Sequence, residues 1–200
     1  MPDYNQLKLL FFIQDITATI FTGIISSLFF LFILSRLKPR IKICDKIALH
    51  VKKNHSTPKY TYYFKVINSS LFFRVYDLNV RVRSSTVRSS PNGDNIVFDE
   101  IELKVSKVWL VNRLKFSHLF QDIFLGTKRL KGRTDYAVQF VTNNNLTAAI
   151  RGNKCITLQL IAKHSLTGFT RVISRDFKHE DEIVKGNFLS GNTFKISPQK

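Results

Sequence analysis

Residues 16–34 read ITATIFTGIISSLFFLFIL, a run of nineteen residues without a charged side chain. A helix rises about 1.5 Å per residue, so this run is about 28 Å long, close to the thickness of a bilayer's hydrocarbon core. No later stretch approaches this apolar length. The sequence therefore predicts one transmembrane anchor within residues 1–38, followed by a folded domain at 39–200.

Positive charge is concentrated on the carboxyl side of the anchor, whereas Lys8 is the only basic residue on its amino side. Five basic residues form what we call the juxtamembrane cluster: Arg36, Lys38, Arg40, Lys42 and Lys46. Lys and Arg resist translocation, which predicts an inner-membrane protein with its amino terminus outside and its β domain in the cytosol, against the anionic inner leaflet. The charges follow the apolar run and no small-x-small cleavage site is present, so we expect a retained anchor rather than a secretory signal.

Alternation of apolar and polar residues predicts that the domain is mainly β. The segments with this pattern are 40–53, 60–68, 72–83, 96–110, 136–142, 155–164, 169–177 and 192–196. We expect an immunoglobulin-like β-sandwich, with a barrel as the alternative.

Local signals refine this prediction. Asn68-Ser69-Ser70 predicts a hairpin turn between 60–68 and 72–83, and the polar stretch 84–95 predicts a loop with a tight turn at Pro91-Asn92-Gly93. Ser165 to Gly168 predicts a second hairpin turn. Apolar residues at helical spacing in 114–125 predict one short helix, and Trp109 is expected in the core.

Motifs for catalysis or cofactor binding are absent from the sequence, so we expect no enzyme and no cofactor. The five histidines are scattered, and no Cys-x-x-Cys pair or paired His spacing favours a metal site. Cys44 and Cys155 lie far apart in strand-like sequence, which predicts buried free thiols, as is usual in the cytosol. The alternative is a disulfide, whose geometry the sequence alone does not determine.

The net charge of +17 raises the question of an anionic counterpart. A second group of basic residues, which we call the distal basic set, is a possible anion-binding site: Lys107, Arg113, Lys115, Lys128, Arg129, Lys131 and Arg133. Lipid headgroups or a nucleotide suit it better than nucleic acid, because no recognition-helix pattern is present. Plain solvation and the positive-inside bias are the competing explanation.

Small and polar residues recur along the anchor. On a helix they form one narrow stripe, which we call the helix stripe: Asp15, Ala18, Thr19, Thr22, Gly23, Ser26 and Ser27. Small residues at four-residue spacing let membrane helices approach closely, so the stripe predicts a homo-oligomer through the anchor. The alternative is a passive anchor capped by Asp15.

Three runs carry a family resemblance: residues 62–68, 164–169 (HSLTGF) and 181–188 (DEIVKGNF). They are similar to stretches of the immunoglobulin-like cytoplasmic domain of inward-rectifier potassium channels. The spacing in 181–188 departs by one residue from the channel pattern, and the second membrane helix, pore loop and selectivity sequence are missing, which excludes conduction by that mechanism. Over residues 10–196 the chain also resembles uncharacterised bacterial proteins with one amino-terminal helix and such a β domain, which implies no known activity.

These observations predict a membrane-anchored module that binds a protein partner or a small anionic ligand at the inner membrane face. The alternative is a membrane-perturbing effector of anti-phage defence whose β domain senses a nucleotide signal. A pocket lined by Arg or Lys inside the domain would favour the effector, and a closed apolar core would favour the binding module.

Overall fold

A computed structural model gives the structure of the protein and describes residues 4–36, 40–52, 58–70, 73–114, 135–165 and 167–198. In the first of these ranges, side chains are described for residues 13–33. The chain divides into two compact units, Met1–Lys38 and Pro39–Lys200.

The first unit is a single helix, α1 (Tyr4–Arg36). Its segment Ile13–Ile33 has a mean hydropathy of 2.2 and is long and apolar enough to cross a membrane. Large apolar side chains such as Phe21, Leu28 and Phe30 are exposed on all sides of this segment, a pattern typical of a helix surrounded by lipid. The prediction of one amino-terminal apolar helix is confirmed.

The second unit is mainly β, also as predicted. Its strands are β1 (Ile41–Ile43), β2 (Ile47–Lys52), β3 (Lys59–Asn68), β4 (Val75–Ser90), β5 (Gly93–Ile101), β6 (Lys107–Val111), β7 (Ala137–Thr142), β8 (Cys155–His164), β9 (Thr170–Phe177), β10 (Ile183–Lys185), β11 (Asn187–Phe188) and β12 (Ile196–Ser197). A short helix, α2 (Leu146–Arg151), lies between β7 and β8 and was not predicted. Asn145 begins it, because its side chain accepts a hydrogen bond from the amide of Ala148.

Two open sheets account for ten of these strands. In the first sheet, β1 and β2 follow one another along one side of β3, β7 pairs with its other side, and β10 runs parallel to β2. In the second sheet, β5 and β6 follow one another along one side of β4, and β8 and then β9 lie on the other side. The pairs of the second sheet are all antiparallel.

The two sheets pack face to face around one apolar core, which makes the domain a sandwich rather than a closed barrel. The rings of Phe64 on β3 and Phe177 on β9 have centroids 5.9 Å apart across the core. Val80, Val82 and Leu158 come from alternate positions of β4 and β8 and are fully buried. The alternation of apolar and polar residues therefore marks the buried positions as predicted, because alternate side chains of each strand face the opposite sheet.

The predicted hairpin between 60–68 and 72–83 is wrong, because β3 and β4 belong to different sheets. Asn68 fixes the crossover: its side-chain amide donates to the carbonyl oxygens of Phe73 and Asn112 at 3.1 and 3.0 Å, and its side-chain oxygen accepts from the amide of Ser70. An apolar strand face fits a neighbour in the same sheet or in the facing sheet equally well, so alternation alone does not distinguish the two.

The predicted loop at 84–95 is also wrong, because β4 and β5 continue through it as a hairpin. Ser90 pairs with Gly93, and Gly93 has a φ of +114°, so the tight turn itself lies where the sequence predicts it. The predicted strand 96–110 is two strands, β5 and β6, separated by residues 102–106.

Trp109 is not in the core, since 70% of its surface is exposed. Asp77, which lies opposite it on β4, has a φ of +49° and breaks the alternation, so that Val75 and Leu78 both face the core. Trp109 is thereby left on the outside.

The remaining predictions mostly hold. β7, β8, β9 and the turn between the last two lie close to the predicted segments. Both cysteines are free, as predicted, but only Cys44 is buried and Cys155 is partly exposed. Of the predicted helix 114–125, all but Leu114 lies outside the described residues.

Candidate functional site

The chain enters the β domain at Arg40, whose backbone is held on both sides. Its amide donates to the hydroxyl of Ser70 at 3.2 Å. Its carbonyl oxygen accepts from both the amide and the hydroxyl of Ser69, each at 2.7 Å. The first residue of the domain therefore has a fixed position relative to β3, which is what a cation presented to a surface requires.

The described members of the juxtamembrane cluster follow the β1–β2 side of the first sheet, from the entry point to the level of Lys65. Arg40, Lys42 and Lys46 are all exposed, and none forms an ion pair among the residues that the structure describes. The side chain of Arg36 and the whole of Lys38 lie outside that part. Three positive charges along this side of the first sheet thus remain available to an external anion.

Other segments of the chain meet at the same end. Leu114 donates from its amide to the carbonyl oxygen of Ser70 at 3.0 Å, and Asn112 donates to the carbonyl oxygen of Asp135 at the same distance. Tyr136 accepts from the amide of Asn68 at 2.9 Å. Leu114 and Asp135 therefore both lie beside the entry point of the domain.

The structure does not bring the described members of the distal basic set together. Lys107 begins β6 and forms an ion pair with Asp77 at 2.8 Å, whereas Arg113 is exposed beyond the other end of the strand. Six residues of extended chain separate them by about 20 Å. The five other members, Lys115, Lys128, Arg129, Lys131 and Arg133, lie outside the described residues.

The helix stripe lies along one side of α1 and is exposed. The hydroxyls of Thr19 and Thr22 donate to the carbonyl oxygens of Asp15 and Ala18, one turn earlier, at 2.8 Å each. A Cβ placed on Gly23 would meet no other atom within 4 Å. The two hydroxyl protons are therefore used within the helix, which leaves small size and open space at Gly23 as the features that favour helix contact.

Lys65 is the residue that the sequence analysis missed. It lies on β3 with only 1% of its surface exposed, and its ammonium donates to the carbonyl oxygens of Leu189, Gly191 and Thr193 at 2.7, 2.9 and 2.6 Å. Burial lowers the pKa of Lys65 to about 8, so the side chain still carries its proton at neutral pH. The ring of Phe188 lies 6.0 Å from the ammonium.

The signal for Lys65 in the sequence is weak. It stands between Phe64 and Val66 at a position that alternation assigns to the solvent face of β3. Residues 186–197, which we call the C-terminal strap, cover that face instead. Phe188 of the strap forms a small apolar cluster with Cys44 and Ala48, and burial raises the pKa of the Cys44 thiol.

A shallow crevice of about 530 Å³ opens where β5 gives way to β6. Its charged lining residues are Arg81, Glu100 and Glu102, and apolar Leu103 lies between them in the wall. With two carboxylates and one guanidinium, this crevice does not favour a phosphate or another anion.

No family model matches this sequence, and no curated protein matches it. The functional argument therefore rests on the geometry. In the part of the chain that the structure describes, that geometry offers three free cations from the entry point along the first sheet, an apolar core between the sheets, and one buried ammonium already held by three carbonyl oxygens.

Proposed function

We propose that this protein is a bacterial single-pass membrane protein of the inner membrane, with its amino terminus outside. Its immunoglobulin-like β-sandwich is cytosolic and binds a protein partner or a small anionic ligand at the inner membrane face. The two free cysteines suit the reducing cytosol.

One observation carries the proposal: Arg40, Lys42 and Lys46 are exposed and form no ion pair with any described residue, and only residues 37–39 separate Arg40 from the helix. Each charge near an anionic surface contributes about 1 kcal/mol. Because three residues of chain reach only about 14 Å, this end of the domain must stay close to the lipid headgroups if the helix spans.

The apolar core supports the binding module over the nucleotide-sensing effector. Within the described residues, the one cation inside the domain is Lys65, and its ammonium is already satisfied by the three carbonyl oxygens of the strap. A phosphate group would have to displace these contacts to reach it.

Vesicle flotation tests the proposal. The fragment 36–200 should float with vesicles that contain anionic lipid and not with neutral vesicles, and added salt should weaken the binding. Replacing Arg40, Lys42 and Lys46 together by Gln should reduce flotation about a hundredfold, as expected from about 3 kcal/mol. The control replaces three exposed cations at the opposite end of the sandwich: Lys52, Lys59 and Arg88.

Equal losses in the two triple variants would show that net charge alone drives binding, and would contradict the proposal. Membrane sidedness is tested on the full chain with a reporter after Lys200 that fluoresces only in the cytosol. A dark reporter together with periplasmic labelling of the domain would overturn the predicted orientation.

A further inference from the structure

The start of β9 exposes two large apolar side chains. Phe169 has 50% of its surface exposed and Val172 has 56%. Among the described residues β9 pairs only with β8, so it forms an open edge of the second sheet. The turn before it is held by backbone hydrogen bonds: the amide of His164 donates to the carbonyl oxygen of Phe169 at 2.9 Å, and the amide of Gly168 donates to the carbonyl oxygen of His164 at 3.0 Å. Apolar side chains held in the open in this way favour a contact outside the domain.

The turn that leads into β9 lies at the end of the domain where the chain enters. Phe73 connects the two places, because its carbonyl oxygen accepts from the side-chain amide of Asn68 and its ring centroid lies 4.7 Å from that of His164. The side-chain oxygen of Asn68 accepts from the amide of Ser70, and the hydroxyl of Ser70 accepts from the amide of Arg40. The exposed start of β9 is therefore near the level of the entry point.

An ion pair shows that β9 lies on the same side of the sandwich as β1 and β2. Asp45, in the bend between β1 and β2, lies 3.5 Å from the guanidinium of Arg175 on β9. Asp45 follows Arg40 by five residues, and Arg175 follows Thr170 by five residues, so the two stretches run beside each other from the entry point. Packed sheets are about 10 Å apart. The apolar start of β9 thus lies next to the juxtamembrane cluster.

The charge along this side is mainly positive. Residues 40–46 and 163–176 together hold six Lys and Arg side chains and two carboxylates. Asp45 is paired with a guanidinium of β9, and Asp176 accepts a hydrogen bond from a hydroxyl of β8. Lys163, like the described members of the juxtamembrane cluster, is exposed and forms no ion pair with any described residue. Apolar side chains among unpaired cations suit an anionic bilayer, because the headgroups attract the cations and the interface takes up the apolar groups.

The opposite edge of the second sheet lacks this combination. Trp109 on β6 has 70% of its surface exposed and is level with residues 170–172, because the rows through Lys107 and Leu110 end at the two ends of that segment. The ammonium of Lys107 is neutralised by Asp77 at 2.8 Å, and the crevice on this edge carries two carboxylates. Exposed apolar surface is present on both edges, but unpaired cations accompany it only on the β9 edge among the described residues.

We propose that Phe169 and Val172 insert into the headgroup region of the anionic inner leaflet, so that the domain lies on the bilayer through the side formed by β1, β2 and the start of β9. This inference rests on the proposed function and deepens it, because it adds the second sheet to the lipid contact. Cations alone would hold the domain near the surface without choosing one side, whereas inserted apolar side chains determine which side faces the lipid. The Trp109 edge then faces away from the bilayer.

Fluorescence quenching of the full chain in lipid vesicles tests this orientation. The vesicles contain phosphatidylcholine and phosphatidylglycerol, and part of the headgroups carry a nitroxide quencher. A bimane label is attached to Thr170→Cys or, as the matched control on the opposite edge, to Trp109→Cys. Cys155 is changed to Ser in every variant because it is partly exposed, whereas Cys44 is buried and is retained. The label at position 170 should be quenched about threefold more strongly than the label at position 109.

A second set of variants tests the two side chains themselves. Adding Phe169→Ser and Val172→Ser to the labelled Thr170→Cys chain should lower the quenching about twofold or more, because the cations remain but the apolar contact is lost. Adding Val87→Ser and Ile96→Ser, two apolar residues of the β4–β5 hairpin that are each 62% exposed, should leave the quenching unchanged.

Each remaining outcome has a definite meaning. Equal quenching of the two labels would show that the β9 edge is not turned toward the lipid, and would overturn the proposal. A blue-shifted but unquenched label at position 170 would show that protein rather than lipid covers this surface, and would also overturn it. Vesicle flotation that depends on Arg40, Lys42 and Lys46, together with equal quenching, contradicts only this inference. Loss of that flotation contradicts the proposed function as well.

Discussion

The ammonium of Lys65 donates a hydrogen bond of 2.6 Å to the carbonyl oxygen of Thr193, and so joins the middle of β3 to the C-terminal strap. Two further carbonyl oxygens of the strap complete the shell around the same nitrogen. The strap has few strand pairs of its own, since β11 and β12 are two residues each. The hydrogen bonds of one buried cation therefore hold the strap against β3, where a longer strand would do so through backbone pairing.

Replacing Lys65 by Met should lower the free energy of unfolding by about 3 kcal/mol, because three buried carbonyl oxygens would lose their donor. Urea denaturation of the domain measures this change. Lys59→Met, at an exposed position of the same strand, should cost less than about 0.5 kcal/mol. Equal losses at both positions would show that the three bonds contribute nothing specific.

Gly186 leads into the strap with a φ of +149°, and an added Cβ would overlap the carbonyl oxygen of Ser197 on β12. Gly186→Ala should therefore displace β12 within the strap and lower the free energy of unfolding by about 3 kcal/mol. The control is Gly93→Ala, where φ is +114° but nothing lies within 4 Å, so backbone strain acts alone. Limited proteolysis should cut after residue 186 faster in the first variant and at the wild-type rate in the second.

His164 predicts a dependence of stability on pH. It is buried, and its Nδ1 lies 3.1 Å from the hydroxyl of Thr167, beside the ring of Phe73. Burial lowers the pKa of His164, so the unfolded chain binds this proton more readily than the folded chain does. The free energy of unfolding should therefore fall as the pH drops through about 6.5, the ordinary pKa of histidine.

Thermal unfolding at pH 7.5 and pH 5 measures this effect. His164→Asn keeps an acceptor near Thr167 but does not titrate, and it should lose less stability on acidification than the wild type. His179→Asn, at an exposed site, should follow the wild type. If His164→Asn also follows the wild type, His164 is not the group responsible.

Gly23 gives the prediction for the anchor. Gly23→Ile fills the open space on the helix stripe and should abolish self-association in a membrane dimerisation assay, because close approach of two helices requires a small residue there. Ile24→Leu changes a neighbouring residue on a different face and should have no effect. Equal association of the two variants would identify α1 as a passive anchor.

The parts of this fold that the sequence predicts depend on local composition. An uncharged run as long as 16–34 has few alternatives to a membrane helix, and alternation in 155–164 matches β8 residue for residue. The parts that it misses depend on distant residues. The solvent face of β3 is buried because the strap returns over Lys65, and Trp109 is exposed opposite Asp77, where a positive φ interrupts the alternation of β4.

In the candidate site, too, some features depend on local sequence and others on distant residues. The exposure of Arg40, Lys42 and Lys46 is a local property, because Arg40 precedes the short strand β1, Lys42 lies on its polar face and Lys46 lies in the bend after it. The distal basic set is different, because proximity in the chain does not bring Lys107 and Arg113 together, and Asp77 neutralises Lys107 from another strand.

The parallel pair of β2 and β10 also constrains the order in which the domain forms during synthesis. Ile47 pairs with Ile183, so the first sheet cannot close its edge until nearly all of the chain has left the ribosome. Until then Lys65 lacks the three carbonyl oxygens of the strap, and the edge of β2 remains open. A nascent chain stalled before residue 183 should therefore be the form most exposed to proteases and chaperones, since closing so long a loop is slow.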